Sequence, residues 1–110
     1  MPRSEHDKFV DHVSALLRAL GVDVEDVAAR RRDALFKDVR QRRLNEHEAA
    51  LAFAYALLPG LLDDDVEEAR VFVDRLSVTA ESWDDDDLID RRRLAEQERD
   101  ARAALRRAAR

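Results

Sequence analysis

The apolar residues of this chain recur at helical spacing almost throughout, and polar breaks divide the pattern into about five segments. Apolar side chains three or four positions apart share one face of a helix, whereas strict alternation would indicate a strand. Few residues interrupt the pattern, because Gly occurs only at positions 21 and 60 and Pro only at positions 2 and 59. We therefore predict an all-α fold, a compact bundle of four to five helices.

The first two predicted helices are bounded by residues that favour helix ends. Predicted helix 1 runs from about Ser4, a good N-cap, to Leu20, with Gly21 at the C′ position. Predicted helix 2 starts after Asp23 and ends near Leu44. Each carries an apolar stripe that we expect to be buried. The stripes are Phe9, Val13, Leu16 and Leu20 in predicted helix 1, and Val24, Val27, Ala28, Leu35 and Val39 in predicted helix 2.

Predicted helix 3 is the most apolar part of the chain. It begins at Asn45, with Glu48 at the N3 position, which is a capping-box arrangement. Residues 49–58 are apolar all round, which indicates a central, buried helix. We expect Phe53 and Leu57 to be nearly fully buried. The Pro-Gly pair that follows ends or kinks this helix.

Two acidic runs, residues 63–65 and 84–87, precede predicted helices 4 and 5. Carboxylates at a helix N-terminus accept hydrogen bonds from free backbone amides and favour the helix dipole. The apolar stripe of predicted helix 4 leaves Val71 and Val78 on its other side. Predicted helix 5 runs to the C-terminus and is polar and Arg-rich. Its thin apolar stripe consists of Leu94, Ala101, Ala104, Leu105 and Ala108.

Alanine supplies much of the hydrophobic content. Hydrophobic residues make up 45% of the 110 residues, but 18 of them are Ala. Ala faces let helices pack closely while burying little area per residue, so we expect a thin core that a second copy or a partner completes. A chain of this length fits one domain. We predict a single helical domain over residues 1–110, with residues 94–110 as a candidate peripheral or partner-docking helix.

The net charge of −5 is unevenly distributed. Residues 1–28 carry −3, residues 29–44 carry +5, residues 45–90 carry −12 and residues 91–110 carry +5. Acids at helix N-termini and bases at helix C-termini would explain most of this pattern. The alternative is a pair of basic surfaces on an acidic body, whose opposite charges would pair between copies or with a partner.

Two Arg clusters, on predicted helices 2 and 5, are the candidate binding surfaces. Phe36 falls outside the core stripe of predicted helix 2, among Arg side chains. Either another helix covers Phe36, or it is an exposed anchor, since Phe with Arg is typical of interfaces. The residues that we predict to contact a partner are Phe36, Arg32, Arg40, Arg43, Leu94, Arg102 and Leu105.

Candidate catalytic and ligand chemistry is sparse. The chain has no Cys, which excludes disulfides and Cys-based zinc sites. His6, His12 and His47 have no His or carboxylate three or four positions away, the spacing that metal-binding helices use. The acidic runs lack the alternating ligands and central Gly of an EF-hand. No Gly-rich phosphate loop or Gly-x-Ser-x-Gly elbow is present. We therefore predict no metal, no cofactor and no enzymatic activity.

The missing catalytic motifs, the thin core and the segregated charge favour binding without catalysis. We predict a helical protein–protein interaction subunit or adaptor that acts in a homo- or hetero-oligomeric complex. The alternative is a nucleic-acid-associated protein that contacts phosphates through the two Arg clusters, although the net excess of acid argues against it. The apolar runs are too short to span a membrane, and the polar start of the chain is unlike a signal peptide. We therefore expect a cytoplasmic protein with no membrane partner.

Overall fold

A computed structural model describes residues 4–83 and 91–109, and these residues form six α-helices and one 3-10 turn, with no strand among them. The elements in chain order are α1 (Glu5–Ala19), the 3-10 turn (Val24–Asp26), α2 (Ala29–Gln41), α3 (Glu46–Ala56), α4 (Leu58–Asp64), α5 (Val66–Glu81) and α6 (Arg91–Ala108). The predicted all-α fold is confirmed. The acidic run at residues 84–87, which we predict to precede helix 5, lies outside the described residues.

Side-chain oxygens cap three of the helices. Ser4 Oγ accepts a hydrogen bond from the backbone N–H three residues on, at 3.1 Å, and thereby starts α1. Asn45 Oδ1 does the same for α3, at 2.8 Å. Asp65, the last residue of the first acidic run, accepts two amide hydrogen bonds at the start of α5. Each cap pairs amides that the helix leaves unsatisfied, so these three predicted helix starts are confirmed.

The end of α1 is a Schellman motif centred on Gly21. The Gly21 N–H donates to Arg18 O at 3.0 Å, and the Val22 N–H donates to Leu17 O at 2.8 Å. Gly21 has a φ of +87°, which a residue without a Cβ adopts readily. The Arg75 guanidinium packs so closely against Gly21 that a Cβ at this position would lie only 2.8 Å from Arg75 Nε. Gly21 thus permits a close contact between the end of α1 and α5.

The start predicted for helix 2 is wrong. Asp23 does cap, but it accepts from the Glu25 N–H at 3.0 Å and starts only a 3-10 turn. The backbone is extended at Val27, and α2 begins at Ala29. The β-branched residues here are stiff and favour extended backbone, and the bent path brings all three valines of the segment against the core. These are Val22, Val24 and Val27.

The predicted end of helix 2 is three residues too late. Helix α2 ends at Gln41, and Arg42 is its C-cap. Arg43 follows with a φ of +57°, and its N–H donates to Arg40 O at 3.1 Å. A left-handed residue at C′ terminates a helix, so the chain turns before Leu44 rather than after it.

The Pro-Gly pair opens a new helix, which gives one α-helix more than predicted. Helix α3 ends at Ala56, and Pro59 lies in the first turn of α4, where a missing N–H costs no hydrogen bond. All residues from 49 to 54 are buried. The predicted burial of Phe53 is confirmed, since it is fully buried. The prediction for Leu57 is wrong: it is half-buried, because it forms the turn between α3 and α4 beside a surface cleft.

Two groups of buried side chains form the core. The larger core joins α1, α2 and α3 to the C-terminal half of α5, and its buried members include Phe36, Phe53, Leu17, Leu20, Leu51 and Leu76. The smaller core joins α4, the N-terminal half of α5 and α6, and consists of Leu58, Ala69, Val73, Ala101 and Leu105. Tyr55 and Phe72 pack against both groups, so the cores are continuous.

Helix α6 packs on its own chain through part of its apolar stripe. Ala101 and Leu105 are buried in the smaller core, and Leu94 packs against the larger one. An ion pair between Arg102 of α6 and Asp74 of α5 adds to this packing. Among the described residues, no helix has both the length and the apolar character needed to cross a bilayer.

Candidate interaction groove

The apolar residues predicted to contact a partner lie inside the molecule. Phe36 is only 2% exposed, and its ring lies 4.8 Å from the ring of Phe53, centroid to centroid. The alternative of an exposed Phe36 anchor is therefore wrong, because α3 covers it. Leu105 is 7% exposed and Leu94 is half-buried. These three side chains stabilise the fold and present little surface to a partner.

The Arg residues predicted on α2 are held partly by intramolecular contacts. Arg32 Nη1 donates to Val24 O at 3.2 Å and lies 3.5 Å from a carboxylate oxygen of Glu25. The Arg40 guanidinium lies 5.9 Å from the ring centroid of Phe9, a cation–π contact. Arg43, the third Arg predicted to contact a partner in this region, is exposed just after the end of α2. The set therefore does not form one patch with Phe36.

Arg102 belongs to a chain of alternating charges that joins α5 to α6. Its guanidinium lies 2.9 Å from Asp74 and 3.2 Å from Glu98, and Asp74 also lies 3.0 Å from Arg70. Arg70 pairs in turn with Glu67. The hydrogen bond from Arg70 and its charge lower the pKa of Glu67, and the hydrogen bonds to Asp74 and Glu98 raise the pKa of Arg102. The charge of Arg102 is thus largely compensated within the chain.

A further concave surface lies between the segment that follows α1 and helices α4 and α5. It consists of two clefts, of about 400 Å³ and about 520 Å³, which share Gly21, Leu61 and Phe72. We call their union the interaction groove. Its apolar side chains include Val22, Val27, Leu57, Leu61, Val71 and Phe72. Its carboxylates are Asp23, Asp26, Asp64, Asp65, Glu67 and Glu68.

The two guanidinium groups that line the groove are positioned by backbone. Arg31 Nη2 donates to Ala56 O at 2.9 Å and satisfies a carbonyl at the end of α3. Arg75 lies against Gly21, as described above. Both clefts therefore have walls fixed by local structure: the Schellman turn and 3-10 turn on one side, and the α4–α5 junction on the other.

Val71 is the most exposed large apolar side chain that lines the groove. It is 55% exposed, and Val78, two turns further along α5, is 67% exposed. Val71 lines the groove, whereas Val78 lines neither of its two clefts. The prediction that both lie off the buried stripe of α5 is confirmed. Exposed apolar area beside a cleft is a common feature of interaction sites.

Two histidines that are distant in sequence meet beside Trp83. The ring of His47 lies 4.8 Å from that of Trp83 and 6.4 Å from that of His12, centroid to centroid, with both pairs close to edge-on. Glu46 Oε1 lies 3.8 Å from His12 Nδ1, which is an ion-pair distance rather than a hydrogen bond. Within the described part of the chain, no three His, Asp or Glu side chains converge closely enough to hold a metal ion.

The hydroxyl of Tyr55 is buried at the junction of the two cores and has no hydrogen-bond partner among residues 4–83 and 91–109. Burial raises the pKa of Tyr55 to about 12, the nearby carboxylate of Glu98 adds to the rise, and Arg102 opposes it. An unpaired buried hydroxyl costs about 1–3 kcal/mol. The packing of the Tyr55 ring therefore stabilises the fold, whereas its unpaired hydroxyl destabilises the fold.

We expect the Tyr55→Phe variant to be at least as stable as the parent protein at pH 7. We also expect the variant to lose less stability than the parent protein at alkaline pH. The pKa of the phenol is 10.0 in the unfolded chain and about 12 in the folded protein. The unfolded state therefore loses this proton first, and the free energy of unfolding falls as pH rises from 10 to about 12. Solvent screening of the half-buried ring limits that loss to about 1–2 kcal/mol. Because the chain has one Tyr, phenolate absorbance during a pH titration reports it directly. A titration midpoint near 10 in the folded protein would contradict this account.

The comparisons with other proteins leave the function to be argued from the chain itself. No protein-family model matches this sequence, and neither the curated proteins nor the solved structures contain a significant match to it.

Proposed function

We propose that this protein is a non-catalytic helical subunit or adaptor that binds another protein through the interaction groove. The observation that carries the proposal is the groove itself, in which exposed Val71 adjoins an apolar floor that contains Leu61 and Phe72. Protein interfaces typically have an apolar centre and a polar rim. The lining of the groove combines both kinds of residue, since it includes six apolar side chains and six carboxylates.

The groove supports a protein partner better than a catalytic reaction. Its titratable groups are carboxylates and guanidiniums, and it contains no His, Ser or Cys among its lining residues. A general base or nucleophile needs a partner that activates it. Apolar side chains on three separate segments instead favour the burial of a complementary surface, at about 25 cal/mol per Å² of apolar area.

Nucleic-acid binding through the Arg residues of α2 and α6 is the weaker alternative. Arg32 and Arg102 already contact backbone or carboxylate groups of their own chain. Each phosphate contact would have to compete with these interactions. The interaction groove also carries the wrong sign of charge for a nucleic acid.

We expect Val71→Asp to abolish the capture of a protein partner from the native host, while Val78→Asp retains it. Both side chains are exposed on α5, so each substitution should change stability by no more than about 0.5 kcal/mol. The same partner should survive nuclease treatment. Equal binding by the two variants would show that the groove is not the binding surface. Loss of all binding after nuclease treatment would favour the nucleic-acid alternative.

A further inference from the structure

Resting on the proposed function, we infer that the interaction groove binds a basic amphipathic helix of a different protein. The inference comes from the charges on the walls of the groove, which the proposed function does not require. Six carboxylates line the groove, against two guanidinium groups. A partner segment with apolar residues on one face and Lys or Arg at its edges would complement both the floor and the walls.

Three of the six carboxylates are available to such a partner. Asp26, Asp64 and Glu68 are exposed, and the described residues form no ion pair with them. They come from two separate parts of the lining, because Asp26 ends the 3-10 turn whereas Asp64 and Glu68 flank the α4–α5 junction. A basic segment in the groove would therefore meet exposed carboxylates from both parts.

The remaining charged groups of the groove are engaged with their own chain. Asp23 and Asp65 cap helical segments, and Glu67 pairs with Arg70. Arg31 donates to a backbone carbonyl, and Arg75 lies against Gly21. The two guanidiniums keep their positive charge, but five carboxylates other than the paired Glu67 outnumber them, so the net charge of the groove is negative.

A helix fits the groove better than an extended strand. Addition of a strand needs an unpaired sheet edge, and the described residues contain no strand. The groove is lined by residues of helices α2, α4 and α5 and of the segment between α1 and α2. Recognition of this kind of surface uses apolar anchors at i, i+3, i+4 and i+7 of an amphipathic helix.

A second copy of this chain is a poor occupant. A two-fold contact through the same face would place carboxylates against carboxylates. The chain does contain a basic helix, α6, but Ala101 and Leu105 of its apolar stripe are buried in the smaller core. Helix α6 therefore cannot offer apolar anchors to another molecule without leaving its own core.

The inference is tested with two fluorescent helical peptides of about 18 residues. Both carry Leu at i, i+3, i+4 and i+7 repeats, one with Lys and the other with Glu at the remaining positions. At physiological salt we expect the Lys peptide to bind the full-length protein about tenfold more tightly than the Glu peptide in fluorescence anisotropy. We expect this preference to shrink as salt rises, because the wall charges are exposed.

Two matched triple variants separate the groove from general acidity. Asp26→Asn with Asp64→Asn and Glu68→Gln should weaken binding of the Lys peptide about five- to tenfold. Asp33→Asn with Glu81→Gln and Asp100→Asn removes the same charge at exposed positions outside the groove and should change binding less than about twofold.

Equal weakening by the two triple variants would overturn the inference, since it would reduce the effect to net charge. Preference for the Glu peptide, or no binding of either peptide, would also overturn it. A dimer in sedimentation that Val71→Asp dissociates would assign the groove to a second copy. In each of these cases, partner capture that still depends on Val71 would leave the proposed function intact.

Discussion

Phe53→Ala is expected to lower the free energy of unfolding by about 3–5 kcal/mol. Phe53 is fully buried in α3, and its ring packs on that of Phe36 with the planes tilted by 48°. Removal of the ring loses its transfer free energy and leaves a cavity, which surrounding helices fill only partly. Natural domains of this size are stable by only about 5–15 kcal/mol, so the variant should be close to unfolding.

Urea denaturation followed by helical circular dichroism measures this change. Phe9→Ala is the matched control, because Phe9 is only partly buried at the edge of the same core and should cost clearly less. The double variant with Phe36→Ala should cost less than the sum of the single variants, since the aromatic pair contributes about 0.5–1.5 kcal/mol beyond area burial. A cost below about 1 kcal/mol for Phe53→Ala would contradict the packing described for α2 and α3.

Leu105→Ala is expected to lower the free energy of unfolding by about 2–3 kcal/mol. Leu105 is the largest α6 side chain in the smaller core, where it joins Leu58 of α4 and Val73 of α5. Since α6 packs on its own chain, the substitution should weaken the fold itself. The expected drop in melting temperature is about 8–24 °C, at about 4–8 °C per kcal/mol for a small domain.

Arg107→Ala is the control for Leu105→Ala, because Arg107 is exposed on the same helix and should change stability by no more than about 0.5 kcal/mol. Thermal melts of the two variants at several protein concentrations distinguish the two roles of α6. A Leu105→Ala variant that keeps its melting temperature but loses association would instead support α6 as a docking helix.

Helix boundaries were predictable where one side chain satisfies the backbone locally. Ser4 and Asn45 bond to amides three residues away, and Gly21 adopts a positive φ that its neighbours avoid. These interactions depend on a few adjacent residues, so they can be predicted from the local sequence. The 3-10 turn after Asp23 depends instead on the burial of valines against distant helices, and local propensity does not reveal it.

The groove could not be predicted, because its floor is assembled from separate segments. Val22 lies between α1 and the 3-10 turn, Leu61 lies in α4 and Phe72 lies in α5, so no local pattern links them. The one signal in the sequence was Val71, an apolar residue off the stripe of its helix. The prediction instead emphasised Phe36, whose off-stripe position reflects coverage by α3.

The contact between His12 and His47 was invisible for the same reason. Searches at helical spacing detect ligand pairs on one helix, whereas these rings come together from α1 and α3.

The distribution of charge along the sequence did not distinguish carboxylates that cap helices from carboxylates that line a surface. The acidic run at 63–65 does supply a cap through Asp65, yet Asp64 in the same run lines the groove.

Photo-crosslinking from position 71 in the native host tests the central claim most directly. A photoreactive residue introduced as Val71→p-benzoylphenylalanine lies at the groove, and the same substitution of Val78 lies outside it on the same helix. We predict a discrete protein adduct from position 71, rich in Lys or Arg at the crosslinked segment, and little or none from position 78. Equal adducts from both positions, or none from position 71, would contradict a protein-binding function for the groove.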